Sequence, residues 1–121
     1  MEVGEFFQAH YMHWESGVLL RVTGELDIAT APLLHRAAAD ALTHRPRRFY
    51  LDLTKVIFCD TTGLFALRNL ADHVQAAGAR LYLTGLHPHL YRTISNHPHP
   101  PWTPPLPLTS PRLPHSRTTF Q

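Results

Sequence analysis

The chain has 121 residues, 44% of them hydrophobic, one cysteine and a formal net charge of +2 at pH 7. That length predicts one domain with a modest core, and the composition excludes an internal disulfide and any apolar run near the ~20 residues of a membrane span. Without Arg112 and Arg117 the 11 basic residues fall to nine, against nine acidic residues, all before His97; the body is formally neutral, which argues against direct nucleic-acid binding.

In chain order, residues 6–14 carry strand character, and Glu15-Ser16-Gly17 is a turn signal. Residues 18–24 form a second, more apolar strand, the hairpin partner of the first. Gly24-Glu25-Leu26-Asp27 closes that strand and opens a loop. Thr30 is placed to cap a helix over about 31–43, with Pro32 in the first turn, where its missing N–H has no consequence. Leu33, Leu34, Ala37, Ala38, Ala41 and Leu42 recur at helical spacing. Residues 48–53 predict a third strand.

Residues 56–64 then read as the carboxyl end of a buried strand running directly into a helix. Asp60 suits the N-cap, because its carboxylate can accept from free N–H groups of the first turn. Thr61 and Thr62 would stand at the positive end of the helix dipole, where an added phosphate is tolerated. Gly63 leaves the backbone bare for the close approach of another surface. Leu64, Leu67, Leu70, Ala71, Val74 and Ala77 give that helix its apolar stripe, and Gly78 ends it. Residues 80–84 predict a fourth strand, and Pro88 begins a short helix with Leu90, Tyr91 and Ile94 facing inward.

Beyond His97 lie eight of the 11 prolines. Such a segment predicts a disordered tail with polyproline character, so the domain is expected over 1–96 and a Pro/His-rich tail over 97–121. Strands joined through helices give an α/β layer with an N-terminal hairpin.

Three landmarks, with one further likeness, carry a resemblance to a known family. Val22-Thr23-Gly24-Glu25-Leu26-Asp27 resembles the "hxGELD" strand end of STAS domains, the fold of bacterial anti-sigma factor antagonists. Phe49-Tyr50-Leu51-Asp52-Leu53 is similar to their "hhLDL" strand, and Phe58-Cys59-Asp60-Thr61-Thr62-Gly63-Leu64 to their "hhDSSGL" phosphorylation loop. Ala77-Gly78-Ala79-Arg80-Leu81 is similar to the entry into the next strand.

The resemblance implies a STAS-like mixed sheet with helices packed on it. It implies a cytoplasmic partner-switching protein rather than an enzyme. The expected partners are an anti-sigma factor with serine/threonine kinase activity and a phosphatase. Thr61 takes the position of the phosphorylated hydroxyl, with Thr62 as the second candidate. Asp27, Asp60, Thr61, Thr62 and Gly63 are the expected partner-binding residues, with Asp27 and Gly63 expected to serve binding more than folding. The chain departs from the pattern in having threonine for the usual serine. It also enters the proline-rich tail where relatives continue into another strand and helix. The alternatives are a non-switching scaffold in a stressosome-like or lipid-transport assembly, or a truncated inactive relative.

Other chemistry is weakly supported. Cys59 lacks a fixed histidine partner and reads as a small core residue. The pairs His87/His89 and His97/His99 have no accompanying Cys or acidic ligand in a metal-binding spacing. No G-x-x-x-x-G-K-[ST] loop is present, so the chain is a better phosphorylation substrate than kinase. No cofactor is expected.

Overall fold

A computed structural model describes residues 7–85 together with residues 87 and 88. The elements are β1 (Gln8–Trp14), β2 (Gly17–Leu26), α1 (Ala31–Leu42), β3 (Arg48–Cys59), α2 (Thr61–Ala76) and β4 (Arg80–Thr84). The sheet runs β1-β2-β3-β4. β1 and β2 form the expected antiparallel hairpin, closing at Trp14 opposite Gly17. The Trp14 indole lies so close over Gly17 that any Cβ there would collide with it. β2, β3 and β4 are parallel and are joined through the two helices.

Both helices pack on one face of the sheet. α1 lies over β1 and β2, α2 over β2, β3 and β4, and the helices touch each other. Strand alternation drives this arrangement, because every second side chain points to the same face. Val18, Leu20 and Val22 of β2, Phe49, Leu51 and Leu53 of β3, and Leu81 and Leu83 of β4 are buried there. Leu34, Ala38 and Ala41 of α1 meet them, as do Leu67, Leu70, Ala71 and Val74 of α2. Phe49 is fully buried, and truncating such a side chain to alanine typically costs about 3–5 kcal/mol.

The other face carries a row in which Trp14, Tyr50 and Tyr82 stack in turn, with ring centroids 6.0 and 5.1 Å apart. Beside it Arg21 Nε donates to Asp52 Oδ2 at 3.0 Å. Burial would raise the Asp52 carboxyl. The hydroxyl and N–H of Thr54, together with the Arg21 guanidinium, outweigh that and hold it below the usual carboxylate range.

Three expectations need correction. β2 does not close at Gly24 but runs on to Leu26, because register shifts at Arg21/Thr23 and Gly24/Glu25 absorb the positive φ of Gly24. β3 is one continuous strand, not a strand over 48–53 with a separate buried end. Its last residues outrun β4, whose pairing stops with Asp52 opposite Thr84, and so Ile57 and Phe58 are exposed. Thr30 stands at the start of α1 without capping it by its side chain. Gly78 ends α2 as expected, with φ +84° and the Ala79 N–H donating back to Val74. The short helix expected from Pro88 lies outside the described residues beyond Pro88 itself, as does the proline-rich tail.

Candidate functional site

The carboxyl ends of β2 and β3 bring Asp27 and Asp60 to the same pole of the sheet. Leu26 pairs with Cys59, and the Asp60 N–H donates to the Leu26 carbonyl at 3.2 Å. The strands are therefore locked together one residue before each aspartate.

Asp60 leaves the strand with extended backbone and caps α2: its Oδ1 accepts from the Gly63 N–H at 2.8 Å. Its carbonyl accepts from Leu64 N–H at 2.9 Å, the first bond of the helix. Capping fixes the next two residues in the first turn. Thr61 is exposed and Thr62 half-buried. Neither hydroxyl has a hydrogen-bond partner among the described residues. The first turn of α2 contains no acidic residue beyond the cap, so its N–H groups and dipole present a partial positive charge of about half an elementary unit.

Gly63 has an internal reason beside the one expected. It is buried, and a Cβ there would collide with the carbonyl of Leu26. The close approach it permits is internal, between the first turn of α2 and the end of β2.

Asp27 also has a structural task. Its Oδ1 accepts from the N–H groups of Ala29 and Thr30, both at 3.0 Å. Its carbonyl accepts from Ala31 N–H at 2.9 Å. The Asp27 N–H donates to Thr30 Oγ1 at 3.0 Å, and that hydroxyl donates to the Glu25 carbonyl at 2.7 Å. The aspartate and the buried threonine together tie down the turn into α1. Asp27 thus carries a fold-building task beside the partner-binding role expected of it. Its Oδ2 makes no hydrogen bond among the described residues.

Apolar side chains flank Thr62. Ile28 is 76% exposed and Phe65 50% exposed. With Pro32, His35, Thr62 and Asn69 they line a groove of about 340 Å³ between the starts of the two helices. Sequence reasoning missed both. Ile28 lies in a loop and Phe65 falls between the stripe positions Leu64 and Leu67, and that mismatch with the core pattern is the signal that could have singled them out.

Cys59 is a half-buried residue packed on the core. Burial, with the neighbouring Asp60 charge, pushes its thiol up to about 11. At neutral pH it is therefore not a thiolate nucleophile. Among the described residues no group of three or more His, Cys, Asp or Glu side chains is placed to hold a metal ion. No helix among them is long and apolar enough to cross a membrane.

The STAS domain family model matches residues 12–104. No curated protein matches the sequence. Among solved structures, the anti-sigma factor antagonist SpoIIAA in its unphosphorylated form is similar with a TM-score of 0.60 and 20% identity, covering 79% of this chain and 84% of that one. An anti-sigma factor antagonist from Mycobacterium paratuberculosis gives a TM-score of 0.65 and 21% identity, covering 78% and 80%. The murine solute carrier Slc26a9, an anion transporter, gives 0.63 and 21%, with 69% of this chain matched to 14% of that one.

Proposed function

The chain belongs to the STAS domain family, and on that premise we propose that it is an anti-sigma factor antagonist switched by phosphorylation of Thr61. In this reading the unmodified chain binds an anti-sigma factor that is also a serine/threonine kinase. Phosphorylation ends the complex, and a phosphatase restores it. The protein is then a binding partner and a kinase substrate, not an enzyme, and it works in the bacterial cytoplasm.

The observation that carries the reading is the exposed, unpartnered Thr61 hydroxyl at the start of α2, one turn before the exposed Phe65 on the same helix, whose apolar groove also includes Ile28. An apolar rim favours association, because burying it removes about 25 cal/mol per Å² of apolar surface from water. A phosphate on Thr61 adds about 1.5–2 negative charges. The α2 N-terminus offsets only about 0.5 of a charge, and the Asp60 and Asp27 carboxylates stand at the same pole. The fold tolerates the modification, whereas an interface built against a neutral hydroxyl does not. Thr62 is the weaker candidate because it is half-buried in the groove wall.

The likeness to the anion transporter supports a second reading, a STAS scaffold that docks in another assembly without switching. A truncated, inactive relative is the third. Incubation with the cognate kinase and ATP, followed by peptide mass spectrometry, separates them. The switch requires one phosphate, on Thr61. Phosphate on Thr62 alone moves the switch by one residue, and no phosphate on either favours the scaffold or the inactive relative.

A further inference from the structure

We propose that the pole of the domain opposite Asp60 and Thr61 binds a soluble anion carrying two or more phosphate charges, held by Arg47, Arg48 and Arg80. The sheet itself gathers these residues. β3 and β4 start side by side, so Arg48 pairs in register with Arg80. The Arg47 carbonyl accepts from the Arg80 N–H at 2.9 Å, and the N–H groups of Arg47 and Arg48 both donate to the Ser16 carbonyl. All three side chains are exposed. They line an open groove of about 680 Å³ together with Gln75, Gly78 and Tyr82.

Nothing among the described residues neutralises this cluster. Arg21–Asp52 is the sole ion pair among them. Glu15, in the β1–β2 turn at the same pole, pairs with none of the three arginines. The carbonyl end of α2 borders the groove at Gly78, but it supplies about half a negative charge against three full positive ones. Three guanidinium groups without carboxylates repel one another, and a multiply charged anion relieves that repulsion. Planar guanidinium forks match phosphate oxygens two at a time. The groove is of the size that takes a small-molecule ligand, which typically occupies about 300–1,000 Å³. The aromatic row ends here as well: Tyr82 stacks on Tyr50 by one face and lines the groove.

Inorganic pyrophosphate is the probe, titrated calorimetrically into the full chain at low salt. We expect saturable one-to-one binding that weakens as salt is raised. The Arg48→Ala/Arg80→Ala variant should lose at least tenfold in affinity, whereas Arg36→Ala, an exposed arginine on α1, should bind as the parent does. Should the double alanine variant unfold, Arg48→Gln/Arg80→Gln replaces it. Absence of saturable binding, or equal affinity in the parent and the double variant, overturns the proposal. So does arginine-dependent sedimentation with phosphatidylglycerol vesicles in a chain that takes no pyrophosphate, because the ligand would then be a lipid surface.

Discussion

At Thr61 the two competing requirements are separable by substitution. Thr61→Ala should bind the anti-sigma factor constitutively, and Thr61→Glu should bind poorly. Neither should change stability by more than about 0.5 kcal/mol, since the side chain is exposed and unpartnered. Asp27→Ala, by contrast, removes the oxygen that holds Ala29 and Thr30. It should lower the unfolding free energy in urea by about 1 kcal/mol, the usual effect of losing a cap. Gly63→Ala should be more severe, about 1–3 kcal/mol, because the collision is with Leu26 backbone that cannot swing aside. Asp60 as the α2 cap was legible in the sequence, because a carboxylate directly before a helical stripe has one dominant use. The exchange of roles between Asp27 and Thr30 was not, because both are good capping residues three positions apart and only the turn geometry chooses. The reason for Gly63 was also hidden, since its contact is with a residue 37 positions away.

The elements themselves followed from periodicity. The β1–β2 hairpin and both helices came from alternation, the Gly17 and Gly78 signals and the apolar stripes. The far end of β3 did not, because where a strand loses its neighbour depends on pairing rather than on its own residues. That overhang exposes Ile57 and Phe58, and the α1–α2 groove exposes Ile28 and Phe65. Ile28→Ser/Phe65→Ser should therefore leave the unfolding midpoint nearly unchanged and weaken partner affinity at least tenfold, measured by calorimetry. Between β2 and β3 the prediction concerns acid. The folded Asp52 carboxyl is held below its ordinary value by Thr54 and Arg21, against the effect of burial. Its stabilising contribution is present above the unfolded value of about 4 and is lost as pH falls through the lower folded value. Urea stability of the parent should thus fall more steeply below about pH 4 than that of Asp52→Asn.

For the whole molecule, the described residues close a continuous core between Phe7 and Leu83. From the change to proline-rich composition after His97 we propose that the domain ends near Asn96, short of the end of the family match at residue 104, and a chain truncated there should keep both its thermal midpoint and its partner affinity. The two poles then divide the surface: a threonine with an apolar rim at one, three arginines at the other. The switch at the first pole is the central claim, and one measurement tests it most directly. The affinity of the anti-sigma factor for the unmodified chain should be compared with its affinity for chain phosphorylated stoichiometrically on Thr61. The account predicts tight binding of the unmodified chain and a loss of at least a hundredfold on phosphorylation, with the unfolding midpoint preserved. Equal affinity of the two forms would contradict it.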